Sequence, residues 1–377
     1  MNFADYLIPV SSDLKLSAGG GSFGDSIMIY DGEPGFRVPE SVKIAILGVP
    51  EDRFSNNAGE IKAPEHIRKQ LYALSSGSPG TIVDLGNLRT GKTLFDTYFG
   101  LQHLFEELYS QGIVTLVIGG TIDVGYGNYL AFNGEKINLT SIAPHLRLPV
   151  YGIGEQPLNS LIFDEAHLPV RCCNIGYQSY YVMQSDLDFL KGKYAEIYRL
   201  GEVRMNIRES EPVIRDSDLL MLSMNAVKYS DAPAASISSP NGFSGEDVCQ
   251  LAHYAGLGYR CKSMGIFDIV PQDDYRNITS KLAAQIGWYF IEGVKRRNMD
   301  NPKDTIQNFK KYMIYFDQLH HNLCFYKNIK TERWWMEVPS LKEDQPGEII
   351  SCTQEDYTRA AEQEIPDRWW KMYQRIN

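Results

Sequence analysis

The chain has 377 residues, 43% hydrophobic and 22% charged, with a formal net charge of −10 and a pI near 5.3. That length suits one large α/β domain or two ordinary ones. The acidic balance, with no clustered basic face, argues against a nucleic-acid partner, because such grooves displace counterions from phosphates with Lys and Arg.

No apolar run reaches the roughly 18 residues that span a bilayer, so no membrane insertion is expected. The opening "MNFADYLIPVSSDLKL" lacks the basic and apolar regions of a signal peptide. Six cysteines form neither a disulfide framework nor a zinc spacing. Cys172 and Cys173 read as reduced strand or turn residues, and the expected location is cytoplasmic.

In chain order, a Gly-rich lead (1–40) precedes alternating strand-like and helix-like text over 41–300. "VKIAILGV" (42–49) is a continuous apolar run, suiting a strand buried on both faces. "APEHIRKQLYAL" (63–74) predicts a helix with Pro64 in its first turn and Ile67, Leu71 and Leu74 on one side. "TIVDLG" (81–86) predicts a strand and 94–110 a helix. Further strands are expected at 113–120, 137–144, 218–225 and 261–270, and further helices at 186–200, 246–256 and 279–297. Strands alternating with helices imply parallel βαβ units, hence a three-layer α/β/α doubly wound parallel sheet. Its chemistry is expected beyond the carboxyl ends of the strands.

From 301 to 377 the text turns polar and aromatic, an extension expected to pack on the domain. It echoes itself in "TERWW" and "PDRWW", one echo being too little for a repeat. Trp334, Trp335, Trp369 and Trp370 are candidate partner contacts, since Trp is enriched at hot spots; pinning the extension to its own domain is the plainer role. Thr353-x-x-Asp356 is spaced to cap the last helix.

Two patterns suggest nucleotide chemistry. Gly86-x4-Gly91-Lys92-Thr93 has phosphate-loop spacing between a strand and a helix, and "SLIFDEAH" (160–167) ends in the letters of a helicase box. Bulky Leu88 and Arg89 stand where successive amides must face phosphate, and no second lobe follows. A strand-to-helix turn is therefore the expected structure, with nucleotide binding through Gly86–Thr93 the lesser alternative. Asp164, Glu165 and His167 form a possible acid–base set, more simply a solvated connection.

Four segments together resemble the ureohydrolase family of arginase, agmatinase and formimidoylglutamase. They are "ILGVPEDRFSNNAGEIKAPEHIRKQLYAL", "LVIGGTIDVGYGNYLAF", "SDAPAASISSPNGFSGEDVCQLAHYAG" and "GIFDIVPQDDYRNITSKLAAQIGWYFIEG". The likeness covers roughly residues 40–297 and is nearest the formimidoylglutamase-like branch. It implies an arginase-like fold and, in active members, two manganese ions that activate water for attack on a guanidino or formimino carbon. It also implies a ligand set of carboxylates and imidazole.

Matched position by position, that set is largely absent. Gly-Gly-x-His-Asp reads Gly119-Gly120-Thr121-Ile122-Asp123. Asp-x-His-x-Asp reads Ala143-Pro144-His145-Leu146-Arg147, and Ser-x-Asp-x-Asp reads Ser223-Met224-Asn225-Ala226-Val227. Of six ligand positions only His145 keeps its residue type. A dimetal centre needs several anions to offset its charge, and Arg147 would repel a cation by several kcal/mol at about 4 Å in an intermediate dielectric. Asp268 stands where the family's acidic residue of Glu-x-Asn-Pro faces the substrate amine.

The expectation is a vestigial pocket (Ile122, Asp123, Ala143, His145, Arg147, Asn225, Val227, Asp268) with no catalytic residue, metal or other cofactor. Its protein would act as an interaction or assembly protein through a protein partner or self-association as an oligomer. A single soft metal on His145 with Cys172 or Cys173 is a lesser possibility. The enzyme alternative is metal-dependent C–N hydrolysis of guanidino or formimino compounds with rearranged ligands.

Overall fold

A computed structural model describes residues 3–11, 13–14, 21–33, 35–53, 59–75, 81–135, 137–146, 171–303, 306–317, 320–342 and 347–377. Two short strands, β1 (Leu7–Ile8) and β2 (Met28–Ile29), precede the first buried strand, β3 (Ile44–Gly48). Then follow α1 (Ala63–Tyr72), β4 (Ile82–Leu88), α2 (Leu94–Ser110), β5 (Val114–Ile118), β6 (Asn138–Ile142) and β7 (Arg171–Tyr177). The domain continues through α3 (Gln184–Gly192), β8 (Glu196–Arg199), α4 (Leu200–Met205), β9 (Leu219–Ser223), α5 (Gly245–Leu257), β10 (Ser263–Phe267) and α6 (Ile278–Lys295).

The strands form one sheet in the order β1-β4-β3-β5-β10-β9-β6-β7-β8, with β2 sharing the β4 edge. Among the described residues only β1 runs antiparallel to its neighbour in this sheet. Every residue of β3, β9 and β10 is buried, as a sheet covered on both faces requires. One covering layer brings Ile67 and Leu71 of α1 together with Leu251 of α5 and Ile286 of α6; on the other face Leu101, Leu104 and Leu108 of α2 pack inward. This is the expected three-layer architecture.

One expected helix is wrong. The span 186–200 breaks after Gly192, where Tyr194 takes a left-handed φ of +54° and the chain re-enters the sheet as β8. Pairing with β7, and the ion pairs of Glu196 with Arg368 and Arg171, outweigh the helical pattern there.

The extension is a four-stranded antiparallel meander of β11 (Phe309–Phe316), β12 (His321–Asn328), β13 (Trp334–Val338) and β14 (Glu348–Cys352). Two helices follow, α7 (Gln354–Ala361) and α8 (Asp367–Ile376). Thr353 caps α7 through a reciprocal pair with Asp356, but α8 comes after it, so this is not the last helix. Trp334 packs with Phe325, Met336 and Trp369 in a core between sheet and helices. Trp335 points to the other face, where the Arg215 guanidinium lies 4.2 Å from its ring centroid. Trp334, Trp335 and Trp369 are 7%, 3% and 2% exposed, which corrects their assignment as partner contacts; Trp370 is 39% exposed.

A buried ion cluster fastens the extension to the domain. Arg368 of α8 donates to Glu196 Oε2 at 2.7 Å, to Asp216 Oδ2 at 3.0 Å and to the Ser351 carbonyl. Arg171 lies 3.5 Å from Glu196 and 3.8 Å from Asp216. Ser351 adds its hydroxyl and amide to Asp216, at 2.6 and 3.0 Å.

Candidate functional site

The central strands β5, β10, β9 and β6 end on one rim, and the residues after them define the site. After β5 the chain turns through Gly119 and Gly120, at φ +84° and +77°. A Cβ on Gly119 would lie 2.5 Å from the Pro64 ring, so glycine serves both the turn and the close approach of α1. Ile122 and Asp123 then open a short 3-10 turn, buried at 1% and 2% exposure.

Asp268, just past β10, is the hub. Its backbone is left-handed, φ +66°, and its amide donates a hydrogen bond to the Gly120 carbonyl at 2.9 Å. Its Oδ1 accepts the Ile122 amide at 3.0 Å; its Oδ2 accepts the Ser223 hydroxyl and the Asn225 side-chain amide, the latter at 3.3 Å. The Asn225 oxygen accepts the Ile237 amide at 2.7 Å and the Ser236 hydroxyl at 3.2 Å. Three strand ends and the 232–239 loop are thereby tied through one carboxylate and one carboxamide.

The other candidates lie around this hub with different partners. Val227 is fully buried in the core and bridges Phe243. Ala143, 3% exposed, follows β6, and the His145 ring packs 4.6 Å from that of Tyr181. Burial raises the pKa of the Tyr98 hydroxyl, and the Asp123 and Glu51 charges raise it further, so it stays protonated. Arg147, Asp164, Glu165 and His167 lie outside the described residues. Cys172 and Cys173 begin β7, and burial pushes both thiols up, Cys172 to about 12. Among the described residues no three His, Cys, Asp or Glu side chains gather as a metal cluster.

Sequence reasoning missed the Glu51–Arg53–Thr97 group beside α2. Arg53 pairs with Glu51 and donates to Thr97 Oγ1 at 2.8 Å. The only signal was the run of three charges after "GVP", a weak one.

No family model matches the chain. The formimidoylglutamase of Staphylococcus haemolyticus (strain JCSC1435) is 26% identical over 277 residues, covering 67% of this chain and 87% of the relative. That of Bacillus subtilis (strain 168) is 22% identical over 279 residues, with the same two shares. Trypanosoma cruzi formiminoglutamase, solved with manganese, superposes with a TM-score of 0.63 at 21% identity, covering 70% of this chain and 97% of that one. Agmatine ureohydrolase of Thermoplasma volcanium superposes at 0.61 with 20% identity, covering 76% and 98%.

The α/β domain has the fold of these ureohydrolases, and its sequence is similar to formimidoylglutamases. The shared α/β domain carries that likeness, and the meander with its two helices is an addition after it. In this sheet the phosphate-loop pattern has another role. Gly86, Asn87 and Leu88 belong to β4, with Asn87 and Leu88 paired to β1, so no loop surrounds a phosphate there. The Gly91 amide donates to Thr97 Oγ1 at 3.0 Å, while Thr93 and Asp96 cap each other's amides at the start of α2. The Gly91, Thr93 and Asp96 amides are thereby engaged, and Asp96 adds a negative charge. Among the described residues no helix is long and apolar enough to cross a membrane.

Proposed function

We propose that this ureohydrolase-fold protein is non-catalytic, lacks a dimanganese site and acts as an interaction or assembly protein. The observation that carries this is the Asp268 network. The carboxylate that faces the centre of the rim already accepts three protein donors, and the amide oxygen of Asn225 accepts two. Ile122, Ala143 and Val227 offer no donor atom from their side chains. A pair of dications needs anionic ligands in excess of that, and stripping these oxygens from their partners costs about 1–3 kcal/mol for each group left unmet. The residues do not fit the metal pair, so no hydrolytic step is assigned to them.

The interaction role draws on the extension. Its edge strand β11 exposes Met313 and Tyr315, at 66% and 53%, and Trp370 adds a half-exposed ring. An unpaired strand edge with apolar side chains suits pairing with another chain. A cytoplasmic protein without a nucleic-acid partner fits the composition.

The second reading, hydrolysis of a C–N bond in a linear amidine, is favoured by the relatives' names. The purified chain, supplied with manganese and formiminoglutamate, agmatine or arginine, separates the two. Ammonia, formamide and urea should stay at the level of a protein-free control; steady turnover of any of these substrates establishes the hydrolase instead.

A further inference from the structure

A cavity of about 400 Å³ opens beyond the ends of β7 and β8. Its wall includes Tyr177, Gln178, Tyr180, Arg199, Arg204 and Asn241. The two arginines are the informative pair. Arg199 ends β8 and Arg204 lies in α4; both are solvent-exposed, and neither guanidinium has an ion-pair partner among the described residues. Gln178, an acceptor in the wall, is by contrast engaged within the protein. Gln178, 2% exposed, takes the Tyr180 hydroxyl on its Oε1 and gives its amide to the Asn241 carbonyl at 3.3 Å. Burial, with the Glu202 charge next, raises the Tyr177 hydroxyl above its ordinary pKa, so it remains a donor at neutral pH.

The groups that line it include two permanent cations, a phenol, the Ser179 hydroxyl and the Asn241 carboxamide. Two like charges in one concave wall focus a positive potential, and this in a chain of net charge −10. A guanidinium fork matches the two oxygens of a carboxylate or phosphate, and the volume suits a small molecule.

We propose that this cavity binds a small oxyanion-bearing molecule through Arg199 and Arg204. The site is separate from the Asp268 network and stands whether or not that network ever holds metal. Shape and charge define the ligand as a compact dicarboxylate or a phosphate.

Isothermal titration of the full chain at low ionic strength, with glutarate and with inorganic phosphate as probes, tests this. One probe should bind saturably with one site per chain, and the better one identifies the chemistry as carboxylate or phosphate. In the Arg199→Ala/Arg204→Ala double variant its affinity should fall at least about tenfold, the loss of a charge-assisted bond. The exposed Arg208→Ala control should bind as the parent does. Arg204→Glu, a surface reversal that leaves every described hydrogen bond in place, should abolish binding through charge alone. Absence of saturable binding by both probes, or equal affinity in the double variant and the parent, overturns the proposal.

Discussion

Replacing Arg368 by Met tests how the extension is held. Arg368 is 9% exposed and bridges Glu196, Asp216 and the Ser351 carbonyl. Burial alone would push Glu196 up, but the Arg368 and Arg171 guanidiniums outweigh it and hold the carboxyl at about 2, from an ordinary 4.5. That difference of about 2.5 units is worth about 3 kcal/mol at 1.36 kcal/mol per unit, close to the usual cost of breaking a buried pair.

At about 2.1 cal/mol/K per residue over 377 residues, about 3 kcal/mol lowers the melting temperature by roughly 4 °C if the chain unfolds as one unit. The pH signature is specific. A depressed carboxyl contributes stability that is full above 4.5 and is lost as pH falls through about 2. Without Arg368 the buried carboxylates become costly when ionised, so the gap between variant and parent should narrow as pH falls from 7 to 4. Calorimetry across that range is the assay. A variant melting within about 1 °C of the parent at pH 7, or a gap that widens on acidification, refutes the clamp.

Trp335→Ala, which removes a buried ring under Arg215, should cost at least about 3 kcal/mol in urea unfolding, whereas Trp370→Ala should change stability by less than about 0.5 kcal/mol. Equal effects would contradict the burial pattern. Thr93→Ala should cost about 1 kcal/mol through loss of the α2 cap, and ATP should shift the melting of neither the parent nor Lys92→Ala. Asn225→Asp places a second carboxylate where a donor to Asp268 stood. Its folded pKa should be raised, so the variant's deficit should be small near pH 4 and grow to about 2 kcal/mol or more at pH 8. A variant with the reverse pH trend would show that the two side chains do not meet.

The α/β domain was legible because its strands are continuous apolar runs and its helices carry one apolar stripe. The helix 94–110 coincides with its observed limits, and the strand at 42–49 brackets Ile44–Gly48. β8 was not legible, since "EIYR" sets a buried carboxylate in a strand and only its pairing with Arg368 and Arg171 makes that tolerable. The meander was also missed. Its strands, such as "FKKYMIYF" and "WWMEV", bury residues on two faces, so no clean alternation shows. At the rim, the motif positions were readable as isolated letters. That Asp268 ties Ile122, Ser223 and Asn225 together depends on three strand ends meeting, a long-range fact that local text does not contain.

The manganese content of the purified chain tests the central claim most directly. After growth in manganese-supplemented medium and gel filtration, elemental analysis should find far less than one ion per chain. Two ions per chain, retained through gel filtration, would contradict the account.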